Sequence, residues 1–147
     1  PALRQAAPAP PTPPAPPAEP GPARRVLLVE DNHDALYAMA ALLRLDGHEV
    51  IEALNGEQAL SLAAAHWPDI AFVDIGLPDR NGYEVARALR ALCGGRSLRL
   101  VALTGYGDAE HRRQSVASGF DQHLVKPIDP QVVSQMVQQP GTAAVQA

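Results

Sequence analysis

Lysine is almost missing from this chain. Of twelve basic side chains eleven are arginine, and Lys126 is the one lysine. Cysteine is equally scarce: Cys93 has no second cysteine to pair with, which excludes an internal disulfide. No catalytic His–Asn/Asp pattern accompanies it, so it reads as a small apolar residue near a helix end. Long uncharged apolar stretches are absent, as is a signal-like apolar beginning, and the expectation is a cytoplasmic protein whose domain makes no membrane contact. A basic excess is absent too. The net charge of −4 leaves no electrostatic footprint for nucleic acid, so direct nucleic-acid binding is not expected. There is no internal repeat, and 147 residues suit one domain with a real core rather than two of ordinary size.

Two materials share the chain. Ten of the fifteen prolines fall within the first 22 residues, mixed with alanine. Such a run buries little apolar area and pairs little of its backbone, so residues 1–23 are expected to form a disordered, extended linker. Residues 24–139 read as the domain, and 140–147 as a flexible tail.

Within the domain, apolar runs alternate with segments of helical period. Strands are expected at Arg25–Val29, Glu49–Ala53, Ile70–Val73, Leu98–Leu103 and Phe120–Val125. The first, third and fourth are nearly continuous apolar runs, the pattern of strands covered on both faces of a parallel sheet. The intervening helices place Leu36, Met39, Ala40 and Leu43 on one face of 34–45, and Val85, Ala88, Leu89 and Leu92 on one face of 83–92. Asn55 with Gln58 gives 56–66 a capping-box start. The segment 109–118 is the most polar and should be the most solvated helix, and a last one starts near Pro130. Five strand–helix pairs in strict alternation imply an α/β fold, a doubly wound five-stranded parallel sheet of the flavodoxin-like (βα)5 type with helices on both faces. Sites in such sheets lie at the carboxyl ends of the strands.

Polar residues close several of the apolar runs at that end. Glu30-Asp31 follows the first strand, and two adjacent acids suit a divalent cation such as Mg²⁺, which prefers oxygen ligands. Asp74 follows the third, where an acid at the end of an apolar strand needs a partner. Gly76 leaves a backbone carbonyl accessible as a further metal ligand. Thr104 offers a hydroxyl to a phosphoryl oxygen, and Gly105 lets the backbone N–H come close. Lys126, in a Lys-Pro step, brings a compact ammonium, better matched to one anionic oxygen than an arginine fork. Each residue alone has a plain alternative: a helix cap, a turn aspartate, a strand-end threonine, a surface lysine. Their arrival in strand order at one end of one sheet points instead to a phosphoryl-accepting carboxylate beside a magnesium pocket.

The acid pair, the Asp74-x-x-Leu-Pro-x-x-Asn-Gly run, Thr104-Gly105 and Lys126-Pro127 together resemble the receiver domain of two-component response regulators, over residues 24 to 139. The resemblance implies Asp74 as phosphoacceptor, Asp31, Asp74 and the Gly76 carbonyl as Mg²⁺ ligands, and Glu30 assisting through water. It implies Thr104 as the switch hydroxyl, Lys126 as phosphoryl anchor, and a cis Lys126-Pro127 bond. The switch aromatic of the family corresponds to His123, a departure, and Tyr106 and Gly105 would border access to the phosphoryl group. The implied partner is a histidine kinase or a histidine phosphotransfer domain, with a homodimer left open. The domain would then be a phosphoacceptor rather than a conventional enzyme. The Leu-Thr-Gly-Tyr-Gly and His-Leu-Val-Lys-Pro stretches, with the Pro/Ala linker, resemble the C-terminal receivers of hybrid sensor histidine kinases. Only a short tail follows Pro140, so no DNA-binding or enzymatic output is expected there. A stand-alone receiver is one alternative. A haloacid-dehalogenase-like, Mg²⁺-dependent phosphohydrolase is another, but it wants Asp-x-Asp, and the second position here is Gly76. A flavodoxin-like cofactor binder would need a phosphate-cradling first loop, which Glu30-Asp31-Asn32 repels.

Overall fold

The structure, a computed structural model, describes residues 23–105 and 109–138, with backbone alone for 109–112. The linker up to residue 22, the tail from 140 and Tyr106 lie outside the described residues. The elements are β1 (Arg25–Val29), α1 (His33–Leu45), β2 (Glu49–Ala53), α2 (Gly56–Ala65), β3 (Ile70–Asp74), α3 (Gly82–Cys93), β4 (Arg99–Thr104), α4 (Ala109–Ala117), β5 (Gln122–Val125) and α5 (Pro130–Gln138). All strand pairs are parallel, and the order across the sheet is β2-β1-β3-β4-β5. The order reverses between β1 and β3, so the rim beyond those two strands is the crevice where such folds bind ligands.

β1, β3 and β4 are buried almost throughout because helices cover both sheet faces. Alternation along the strands divides the core. Leu27, Val29, Ala71, Val73, Leu100 and Ala102 pack toward α2 and α3, whereas Val26, Leu28, Phe72, Val101 and Leu103 pack toward α1 and α5. Large side chains such as Phe72, Leu27 and Leu100 are fully buried, each contributing about 1.5–3 kcal/mol relative to exposure. α1, α2 and α3 each start at an asparagine. Asn32, Asn55 and Asn81 accept the N–H of Ala35, Gln58 and Glu84 at 2.9, 2.8 and 3.0 Å, caps worth about 1 kcal/mol apiece. Gln58 returns the bond to Leu54 N–H, one residue ahead of the cap.

Two expectations need correction. The buried face of α3 is Tyr83, Val85, Ala86, Leu89 and Cys93, while Leu92 is 41% exposed. Starting the helix at Gly82 and packing Cys93 inward turns the apolar stripe away from Leu92. β5 begins at Gln122 instead of Phe120. Phe120 is still buried, but its N–H bonds Ser115 O at the end of α4, so it belongs to the turn. Among the side chains described in α4 only Ser115 is buried, with Ser118 buried just past its end, as a solvated helix requires.

Candidate functional site

The alternation that carries Leu28, Phe72 and Leu124 to the α1/α5 face continues to Glu30, Asp74 and Lys126, so these three meet at the rim. Lys126 Nζ lies 2.9 Å from Asp74 Oδ2 and 3.4 Å from Glu30 Oε1. The other Asp74 oxygen, Oδ1, accepts the Gly76 N–H at 3.0 Å. Glu30 Oε2 accepts the Asn32 N–H at 3.1 Å. Asp74 and Glu30 are buried and Asp31 is exposed. Asn32 caps α1, which leaves Asp31 outside the cap and beside the cleft. The cleft has a volume of about 560 Å³, and its wall includes Thr104, Gly105 and Asn32. Thr104 is buried, and its carbonyl accepts the Lys126 N–H at 2.7 Å, tying the ends of β4 and β5. The Lys126-Pro127 bond is cis, as expected.

The electrostatics follow from placing acids in a half-closed space. Burial pushes the Glu30 carboxyl up to about 7. The Asn32 N–H opposes this, the Asp74 charge adds to it, and Lys126 opposes it more weakly. For Lys126, burial works against the charge, but the bonds to Asp74 and then the field of Glu30 outweigh it and raise its pKa. Carboxylate oxygens of Glu30, Asp31 and Asp74 all lie within 4.8 Å of one another. An all-oxygen donor set of three acids, strained by mutual repulsion, fits a hard divalent cation.

His123 is half-buried on β5, in register with Ala102 and therefore on the same sheet face as Thr104. The two glycines singled out from sequence relieve no crowding against other protein atoms. A Cβ on Gly76 would meet only Asp74 Oδ1, at 3.9 Å, and one on Gly105 nothing within 4 Å. The glycine the site cannot lose is Gly82. A Cβ there would sit 2.6 Å from Asp74 O and 2.7 Å from Ile75 Cα, and its N–H bonds Ile75 O at 2.8 Å. α3 can start against the backbone of Asp74 only because residue 82 has no side chain. The Asn81-Gly82 step is visible in the sequence, but this close approach is a distance between segments.

Fold and site together define an α/β domain with an anchored strand-end aspartate in a cluster of three carboxylates at the switch in strand order. The chain belongs to the response regulator receiver domain family, whose model matches residues 26–138. The polar-differentiation response regulator DivK of Brucella anthropi is 35% identical over 108 residues, covering 71% of this chain and 85% of DivK. A CheY-like receiver domain protein from Methanospirillum hungatei superposes with a TM-score of 0.72 at 27% identity, covering 79% of this chain and 91% of that one. The receiver domain of Saccharomyces cerevisiae Ssk1, solved with the histidine phosphotransfer protein Ypd1, gives 0.74 at 25% identity, over 79% and 87%. The chain spans under half the length of the transcriptional regulatory proteins that it also matches. No helix among the described residues is long and apolar enough to cross a membrane.

Proposed function

We propose that the domain is a phosphoacceptor switch in which Asp74 takes a phosphoryl group from the phosphohistidine of a histidine kinase or histidine phosphotransfer domain. One Asp74 oxygen attacks phosphorus in line with the phosphorus–nitrogen bond. That bond breaks, its electron pair leaves with the imidazole, and a mixed anhydride forms at Asp74. Lys126 Nζ, bonded to Asp74 Oδ2 in the free protein, transfers its hydrogen bond to a phosphoryl oxygen. The Thr104 hydroxyl takes another, and Gly105 and Tyr106 border the approach. Asp31, Asp74 and the Gly76 carbonyl would hold Mg²⁺, with Glu30 acting through water. When bound, Mg²⁺ supplies positive charge against the anionic oxygens that crowd together during transfer. His123, sharing a sheet face with Thr104, is our candidate for passing the change outward. The setting that fits residues 1–23 is a tether joining the domain to a larger cytoplasmic signalling protein such as a hybrid sensor histidine kinase.

One observation carries this reading: the only lysine of the chain lies within bonding distance of Asp74, inside a cluster of three carboxylates. A haloacid-dehalogenase-like hydrolase would need an acid where Gly76 stands. Incubation with Mg²⁺ and phosphoramidate, read by intact mass, tests the proposal. A gain of one phosphoryl group that is lost in mild alkali and to hydroxylamine is expected. No gain in the folded protein would refute it.

A further inference from the structure

The loop between β3 and α3 carries Gly76 beside Asp74, and its two ends are fixed by the sheet and by α3. Ile75 N–H bonds Leu103 O at 2.9 Å, and Gly82 packs on Asp74. Its middle is held by something else. Leu77 is buried, and Asp79 reaches across to the start of α2. Asp79 Oδ1 accepts the Gly56 N–H at 2.8 Å and Oδ2 accepts the Glu57 N–H at 3.0 Å; Oδ1 also accepts the Arg80 N–H at 3.0 Å. Gly56 and Glu57 are the first two residues of α2, whose N–H groups have no partner within the helix. A carboxylate there also meets the positive end of the helix dipole. The local cap, Asn55, serves Gln58 and leaves those two donors to Asp79.

A second, independent feature agrees. A Cβ on Gly56 would lie 2.7 Å from Arg80 Cγ and 2.9 Å from Val85 Cγ2. The loop thus rests directly on the start of α2, and the glycine permits that approach. The bonds to Gly56, Glu57 and Arg80 hold the Asp79 carboxyl below its ordinary range, the Gly56 bond foremost.

We propose that Asp79 is a positioning residue: its clamp on α2 holds the middle of the loop so that Gly76 stays oriented toward Asp74, and it thereby sets how readily the pocket takes its cation. This rests on the phosphoacceptor reading above. Asp79 touches no reacting atom, and its influence passes through the loop backbone to the Gly76 N–H that bonds Asp74 Oδ1. Outer groups that orient metal ligands commonly change metal affinity by about 10–100-fold. Asp79 acts three residues away, so a smaller effect of roughly threefold to tenfold is expected.

The test uses Asp79→Ala, Asp79→Asn and Gly56→Ala in the full chain. In metal-free protein, amide hydrogen exchange should rise in Asp79→Ala at Gly56 and Glu57 and also at Gly76, which Asp79 does not bond. The Mg²⁺ concentration for half-maximal phosphorylation by phosphoramidate should rise about threefold to tenfold in Asp79→Ala. The rise should be smaller in Asp79→Asn, which keeps one acceptor oxygen. Gly56→Ala, with the carboxylate intact, should move the same readouts in the same direction. If Asp79→Ala lowers the melting temperature but leaves Gly76 exchange and Mg²⁺ half-saturation unchanged, Asp79 only caps a helix and the proposal falls. A wild type that neither takes phosphate nor is stabilised by Mg²⁺ would remove the phosphoacceptor reading and this inference with it. A phosphorylated wild type with an unresponsive Asp79→Ala removes this inference alone.

Discussion

At the carboxyl ends of its strands the protein crowds Glu30, Asp31 and Asp74 around one lysine. At the amino ends it spends arginines, each engaged by several acceptors. Arg90 donates to Gly119 O, Leu98 O and Asp121 at 2.9, 2.8 and 2.7 Å, joining α3 to the starts of β4 and β5. Arg99 donates to Met136 O and Gln122 Oε1, both at 2.8 Å, fastening α5. Arg25 pairs with Glu49, and Arg96 stacks over Trp67 at 4.1 Å. The exceptions at this foot are Arg24 Nε and His48 Nε2, buried with no hydrogen-bond partner among the described residues. The two ends show how one sheet divides its work. Forked guanidiniums with carbonyl partners fix the frame, while a like-charged cluster with one flexible ammonium forms the rim on which the proposed phosphoacceptor chemistry rests. The foot stabilises; the rim gives up stability for chemistry.

Breaking the rim should have the largest effect on function. Asp74→Asn keeps the shape and removes the nucleophile, so phosphorylation from phosphoramidate should disappear. Thermal unfolding should show equal or higher stability, because one of the repelling charges is gone. Breaking the foot should do the opposite. Arg90→Ala should cost about 2–3 kcal/mol in denaturant unfolding, with the phosphorylation rate per folded molecule unchanged. A stable Arg90→Ala that phosphorylates poorly would dissolve the division between the ends.

The two ends should also respond to pH with opposite sign. Glu30 has its folded-state pKa raised from 4.5 to about 7. Its contribution is fully present below 4.5 and is lost as pH rises through about 7. Burial first, with Arg24 adding and Asp46 opposing, lowers the pKa of His48 below 6.5, while its Nδ1 accepts the Arg24 N–H at 3.1 Å. That contribution is present above 6.5 and is lost as pH falls below it. In metal-free protein, Glu30→Gln should flatten the fall in stability between pH 4.5 and 7, and His48→Gln should flatten the loss on the acid side of 6.5. Mg²⁺ at roughly ten times its half-saturating concentration should add about 1.4 kcal/mol to wild type near neutral pH, and Asp31→Ala should remove most of that gain.

What the sequence reveals and what it hides follow the same division. Apolar runs and asparagine caps are local, so strands and helix starts are legible to within a residue or two. The rim residues are legible because each closes its own strand and parallel topology lines up the ends. Leu92 misleads because helical period alone cannot say where the stripe points once Cys93 turns inward. Asp79 and Gly56 act on each other across 23 positions and Arg90 reaches Asp121 across 31, while Gly82 acts through a backbone approach to Asp74 that its short spacing does not reveal. Nothing in their own neighbourhoods announces those partners.

The smallest expected effect is that of Lys126→Arg. Charge is kept, so Asp74 should still be phosphorylated, but the wider fork suits one phosphoryl oxygen poorly. Amide chemical-shift changes at Thr104 and His123 upon phosphorylation should shrink. A wild-type response would mean that the single lysine carries no special role.

The central claim is that the rim takes a phosphoryl group at Asp74 and nowhere else. Borohydride reduction of the phosphorylated protein, followed by peptide mass spectrometry, tests it most directly, because it converts an acyl-phosphate aspartate to homoserine. Homoserine at position 74 alone is the expected result. Homoserine at Asp31 or Glu30-derived reduction product instead, or phosphate that survives reduction as a stable ester elsewhere, would contradict the account.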